Sequence, residues 1–379
     1  MDASPMAASN VASKTRSGSR LMSVDALRGF DMFWIIGAAG LARGLKDISD
    51  TGPVKFLHDQ LGHVEWEGFV FYDLIFPLFV FLVGMSAVFS LSGILERSGP
   101  ATAYKRIVRR FLILYLLGII YYGGFSKGWG DIRLLGVLQR LALCYLFVGL
   151  IFCRFNLYGM VVICAGLLAG YWALMTYVPV PGVGAGCFEP GRNLANYIDS
   201  ICLPGRKWDG TWDPEGLLST FPAVGTCLIG CFAGMLLRNR SASDWAKVVV
   251  LLVGGAAGVA AGYHWGQTFP VIKKIWTSSY VLVAGGYSCI LLGVFYLVLD
   301  VWKIRIWALP FVWIGMNALT IYMLSNILSF HTLAERFVGG NLNRSLFGHY
   351  GLLATAVLAL GLKIGLVYFL YRKRIFIRA

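Results

Sequence analysis

His63 is the residue in this chain whose neighbours best suit acid–base or nucleophilic chemistry. It stands in the run GHVEWEGFVFYDLIFP, directly before a long apolar segment, with Glu65, Trp66 and Glu67 beside it and Asp73 ten residues on. An imidazole titrates near neutral pH, so it can serve as base, acid or nucleophile toward an amine or a thioester. If residues 63 to 73 formed one helix, the two side chains would sit about 15 Å apart along its axis and could not pair. If 63–67 folds back as a loop, His63 hangs into a cavity that Asp73 lines. The remaining histidines, His58, His264, His331 and His349, read as solvated loop residues.

Ionisable groups inside apolar segments are costly to keep, which makes each a functional candidate. Besides Asp73 they are Asp31, Arg140 and Lys363. Asp31 and Asn317 read as polar liners of a substrate cavity. Arg140, in GVLQRL, is either a ligand contact or an ion-pair partner of Asp73 or Glu215. Lys363 either snorkels or pairs with an acid. Glu215 belongs to WDPEG at 212–216. There Asp213 suits a helix N-cap, Pro214 the first helical position and Glu215 the positive end of a helix dipole. Capping explains that motif, with a substrate contact as the alternative.

The elements that must hold these groups are apolar. Of 379 residues, 58% are hydrophobic, 15% aromatic and 14% charged, against about 25% charged in soluble domains. That excludes an ordinary cytosolic enzyme and a disordered chain. The formal charge is +14, but basic residues punctuate apolar runs and form no single patch, which excludes a nucleic-acid binder. Ten segments long enough to span a bilayer fall at 26–43, 68–92, 107–124, 135–153, 157–178, 216–237, 246–264, 279–299, 307–329 and 350–371. No strand-period pattern competes, so helices must satisfy the backbone in lipid. The fold class expected is an all-α polytopic membrane protein, a bundle of ten or eleven helices.

With the N-terminus inside, nineteen Lys and Arg fall on the inner side and twelve outside. The positive-inside rule therefore puts both termini in the cytosol. Residues 1–20 read as a disordered cytosolic tail and 21–379 as one transmembrane domain, with the long loop 179–215 facing outward beside His63. Cys187 and Cys202 share that loop, where a disulfide is as expected as two thiols. No Cys/His cluster has metal-ligand spacing.

Six runs occur in one order: SVDALRGFDM at 23–32, HVEWEG…DLIFPLFVFLVGMS at 63–86, GVLQRL at 136–141, WDPEGLL at 212–218, GMNALTIY at 315–322 and YRKRIF at 371–376. As an ordered set they resemble the heparan-alpha-glucosaminide N-acetyltransferase family, in a compact form, over about residues 20–377. The resemblance implies transfer of acetyl from cytosolic acetyl-CoA to the amine of a glucosamine-type sugar on the far side. His63 matches the family's active-site histidine. It also implies acetyl-CoA as co-substrate, no metal, a small amino-sugar acceptor, a homodimer and a multi-pass place in a cell membrane, most simply a bacterial inner membrane. CoA phosphates favour Arg and Lys donors. Arg28, Arg106, Arg109 and Arg110 are the inner candidates for holding them. His63 and Asp73 are the catalytic candidates, and Asp31, Arg140, Glu215 and Asn317 the acceptor contacts. This chain departs from the pattern at Ala39, where the animal members carry an Asn, and at Ser325, where a second His is expected. The rival class is a transporter of amino sugars or N-acetylglucosamine that performs no group transfer.

Overall fold

In a computed structural model the described residues are 21–49, 51–126, 128–338 and 347–376. The expected tail 1–20 lies outside them. Among the described residues there are thirteen α-helices and no strand ladder. They are α1 (Met22–Lys46), α2 (Gly52–Leu61), α3 (Phe71–Tyr121), α4 (Val137–Arg154), α5 (Leu157–Tyr177), α6 (Leu194–Cys202), α7 (Thr220–Arg238), α8 (Asp244–Gly266), α9 (Ser278–Tyr296), α10 (Leu309–Met316), α11 (Ala318–Ile327), α12 (Phe330–Val338) and α13 (Gly351–Arg372).

Seven helices are long and apolar enough to cross a membrane: α3, α4, α5, α7, α8, α9 with its continuation to Val301, and α13. The pair ending at Met316 and restarting at Ala318 bends by 67° and adds an eighth if it is one span. The expected ten segments all fall on helices, but they are distributed differently from ten separate rods. Two of them, 68–92 and 107–124, share the 51 residues of α3, whose path breaks at Gly99 (φ 76°, ψ 175°) just before Pro100. Tyr72 and Tyr121 lie within electrostatic range of each other. Forty-nine residues of straight helix would hold them about 74 Å apart, so α3 folds back at Gly99. The segment at 26–43 is α1, which has the length of a span but carries Arg28, Asp31 and Arg43 through its body.

The first arm of α3 is the central element, with Leu78, Phe81, Leu82 and Met85 essentially inaccessible. Small residues let helices close on one another, as membrane bundles require in the absence of a hydrophobic drive between them. A Cβ on Gly29 would strike the Phe311 carbonyl, and one on Gly315 the Asp25 carbonyl, so α1 and α10 touch backbone to backbone. The second arm of α3 turns Val108, Leu112, Leu116 and Ile120 outward as an apolar stripe.

Polar contacts gather at the two ends. At one end the Asp300 carboxylate accepts from the Met22 and Ser23 amides, and Arg238 pairs with Glu96. A cavity of about 560 Å³ there is lined by Asp25, Met316, Arg372 and Arg374, so the start of α1 and the end of α13 share this end. The opposite end holds His63, Lys273, Arg133 and the ordered loop 178–219. Cys187 and Cys202 both carry free thiols.

Candidate active site

The loop alternative for His63 is the one the chain adopts. Residues 62–70 form no helix, and α3 begins only at Phe71. An isolated antiparallel bridge joins Glu67 to Ile272, and the Gly68 amide donates to the Val271 carbonyl at 2.9 Å. Gly68 has φ +123°, a region that favours glycine. This bridge pins the His63 loop onto the segment before α9 and so sets Lys273 against it.

His63 Nδ1 lies 2.8 Å from Asp73 Oδ1. Asp73 is in the first turn of α3, 1% exposed, whereas the His63 side chain is 53% exposed. The other carboxylate oxygen, Oδ2, accepts from the backbone amides of Val64 (3.4 Å) and Val70 (3.3 Å), which fixes its plane. The Tyr280 hydroxyl donates to the Asp73 carbonyl at 2.7 Å. Tyr72 stacks on the imidazole, with centroids 4.6 Å apart. Lys273 Nζ stands 3.0 Å from His63 Nδ1 and 3.1 Å from Asp73 Oδ1. Burial pushes the Lys273 pKa down, against the pull of the Asp73 carboxylate. Asp73 and His63 thus form a dyad with one ring edge buried, and His63 Nε2 makes no hydrogen bond among the described residues.

A second charged network lies within electrostatic range, since Lys273 feels Glu215. Arg133 donates Nε and Nη2 to the two oxygens of Asp213 at 2.8 and 2.7 Å, and Nη2 also to Glu215 Oε2 at 2.6 Å. Its guanidinium lies over the rings of Tyr122 (4.4 Å) and Trp208 (5.0 Å). Burial works against that charge, and the bonds to Asp213 together with the charge of Glu215 more than offset it. Burial, and then the Asp213 charge, push Glu215 up to about 7, while Arg133 opposes them. Burial pushes Asp199 up to about 6 despite the amides of Leu217 and Asp213 that it accepts.

The structure corrects the capping expectation for Asp213 and the ion-pair alternatives for Arg140 and Lys363. Asp213 caps no helix: α7 starts at Thr220 with Ser219 before it, and Asp213 instead binds Arg133 and the Trp208 and Glu215 amides. Arg140 pairs with neither Asp73 nor Glu215. It is fully buried, donates to the Gly216 carbonyl (3.2 Å) and Ser219 Oγ (2.5 Å), and lies 4.9 Å over the Trp276 ring. Its Nε and Nη1 have no partner among the described residues. Lys363 Nζ donates to the Ile36 carbonyl at 2.6 Å and meets no acid among the described residues.

The remaining candidates sit deeper or at the far end. Asp31 is fully buried, with both carboxylate oxygens unpartnered among the described residues, and it lies within electrostatic range of Tyr72. Asn317 occupies the break between α10 and α11, buried and likewise unpartnered. Arg28 donates to Ser86 Oγ at 2.7 Å and faces Asp25 at 3.5 Å. Arg106 and Arg109 are exposed; Arg109 with Lys105 edges an outer groove of α3, while Arg110 turns inward over the Tyr145 ring at 4.5 Å. Among the described residues no group of three His, Cys, Asp or Glu side chains converges as a metal site requires.

Lys273 and Arg133 were not singled out by sequence. Both were counted only as loop cations, and nothing in the spacing links Lys273 to a histidine 210 positions away.

The class defined here is an all-helical protein of the multi-pass membrane type, with a His–Asp dyad in a loop-covered end of the bundle. Over 94% of its length the chain is 26% identical to human heparan-alpha-glucosaminide N-acetyltransferase, and over 98% it is 25% identical to the mouse protein of that name. The chain spans about three fifths of the length of these curated relatives, 59% and 63%. No family model matches it. The resemblance first carried by six short runs therefore extends over nearly the whole chain.

Proposed function

We propose that this protein is an integral-membrane acetyltransferase that moves acetyl from cytosolic acetyl-CoA to the amine of a glucosamine-type sugar on the opposite side. The observation that carries the reading is the His63–Asp73 contact in a chain similar to N-acetyltransferases. A buried carboxylate holds one imidazole nitrogen while the other stays uncommitted on a half-open face. With Nδ1–H donated to Asp73, Nε2 presents a lone pair. Two routes use it. As nucleophile, Nε2 bonds to the thioester carbonyl carbon, the C–S bond breaks, and the thiolate leaves and takes a proton; the neutral sugar amine then takes the acetyl from the ring. As base, Nε2 accepts the amine proton while the amine itself attacks the thioester carbonyl carbon; the C–S bond then breaks and the thiolate leaves, taking the proton back from the ring. Asp73 stabilises the ring charge that develops on either route.

The acetyl donor enters, on this reading, from the end that carries Arg28, Arg106, Arg109, Arg110 and Arg372, whose guanidinium groups match phosphate. Asp31 and Asn317 keep buried polar atoms without a hydrogen-bond partner among the described residues. They, with Arg140 and Glu215, are the proposed acceptor and passage contacts. The protein would sit in a bacterial inner membrane with both termini cytosolic, His63 outward, as a single transmembrane domain and as a homodimer.

The test is incubation of purified protein with radiolabelled acetyl-CoA and a panel of amino sugars. Wild type should transfer label, and His63→Ala should lose transfer by about 10²–10⁴-fold, the usual weight of acid–base catalysis, with unchanged melting. One observation favours a transporter instead: the 67° break at Asn317 resembles the interrupted helices that build midplane sites. Sugar uptake into vesicles without acetyl-CoA, unaffected by His63→Ala, would select that reading.

A further inference from the structure

His63 Nδ1 is contested. Asp73 Oδ1 stands 2.8 Å away and Lys273 Nζ 3.0 Å away. An imidazole nitrogen has one in-plane position, holding either a hydrogen to donate or a lone pair that accepts. A carboxylate can only accept and an ammonium can only donate. The two contacts therefore cannot both be hydrogen bonds at the same moment. If the hydrogen is on Nδ1 it goes to Asp73, and Nε2 carries the lone pair. If Nδ1 is bare, Lys273 donates to it and the ring hydrogen sits on Nε2.

We propose that Lys273 is a positioning residue that competes with Asp73 for Nδ1 and thereby sets which tautomer His63 turns toward the open side. The competition is built in. The Glu67–Ile272 bridge and the Gly68–Val271 hydrogen bond carry Lys273 to the ring, and its side chain is only 20% exposed. Its ion pair with Asp73 at 3.1 Å persists in either state, so only a small displacement of Nζ separates them. Tyr72 beneath the imidazole offers the ammonium a ring face at 6.0 Å but no acceptor that would draw it away.

The consequence for the reaction rests on the acyl-transfer reading. Only the tautomer with a bare Nε2 can attack a thioester or accept an amine proton. Lys273 thus holds part of the resting population silent. A carbonyl oxygen arriving beside the ring, itself an acceptor, draws the ammonium off Nδ1 and releases the reactive tautomer. No net proton is gained or lost in that change.

The experiment is ¹⁵N NMR of full-length protein in lipid nanodiscs, labelled selectively at histidine, with His63→Ala identifying the His63 signals. Ring nitrogens bearing hydrogen and bare ones resonate far apart, so the tautomer is read directly. Wild type is expected to show both tautomers. Lys273→Met should leave only the Nδ1–H form, and Lys273→Arg, which keeps a donor, should retain the mixture. Asp73→Asn should shift the population toward Nε2–H, which keeps the proposal testable if Lys273→Met fails to fold. A wild-type spectrum with the Nδ1–H form alone, unchanged in Lys273→Met, overturns it, as does an Asp73→Asn spectrum without the shift. None of these readouts needs acetyl transfer, so loss of transfer in the radiolabel assay with the tautomer shifts intact would reject only the acyltransferase reading.

Discussion

Two charged clusters share one end of the bundle and are built on opposite terms. Around Arg133, Nε and Nη2 are committed: two bonds to Asp213, one to Glu215, and aromatic rings against the guanidinium. Its partners are 0% and 12% exposed and Arg133 itself 5%. Around His63, one ring nitrogen is over-subscribed, the other uncommitted, and half the side chain is open. Buried charges bound to one another hold loops in place, because removing one partner strands the others without water. A group with capacity to spare beside a rigid carboxylate is equipped to change its protonation. The first cluster positions the loop 206–219, and the second is where chemistry has room to occur.

The sharpest way to break that contrast is to remove Arg133. Arg133→Met strands the buried Asp213 carboxylate and should cost about 3–5 kcal/mol, seen as a lower melting temperature, while the folded fraction still transfers acetyl at saturating acceptor, with any loss confined to acceptor affinity through Glu215. A protein that melts normally but has lost transfer would place Arg133 in the chemistry and erase the distinction.

A smaller effect should appear in pH. Burial pushes the carboxyls of Glu215 and Asp199 up, to about 7 and about 6, above their ordinary values of 4.5 and 3.8. The folded state then holds protons that the unfolded chain has released, so stability falls as pH rises from about 4 to 7 and levels off above. Melting curves across that range should show the fall, and Glu215→Gln should flatten it. A slope of the opposite sign would mean that the carboxylates are well paired as anions.

The smallest change concerns the unpartnered carboxylate in the interior. Asp31→Leu replaces a fully buried carboxyl that has no hydrogen-bond partner among the described residues with an apolar group of similar size, and should raise stability by on the order of 1 kcal/mol. A lower melting temperature would show that Asp31 has a partner in the working protein.

Much of this was legible in the chain. The apolar runs are marked by composition alone, and the fold-back in α3 is announced by Gly99–Pro100 between two of them. His63 and Asp73 lie ten residues apart, so a local turn sufficed to pair them. The misreadings share one cause. WDPEG has the residues of a helix start, but an arginine 80 positions earlier in sequence claims Asp213, and tertiary pairing overrides a local capping preference. For Arg140 the ion-pair alternative rested on a buried cation needing compensation; a carbonyl, a hydroxyl and the face of Trp276 supply it instead.

By itself the sequence determined that the chain must be helical and must span a bilayer, since its apolar runs leave the backbone no other way to bond in lipid. It also determined that an imidazole would stand where one such run begins. Which groups meet that imidazole was decided only in three dimensions. The two backbone contacts between Glu67–Gly68 and Val271–Ile272 bring Lys273 to His63, and hydrogen-bond registry between distant loops leaves no trace in the spacing of either.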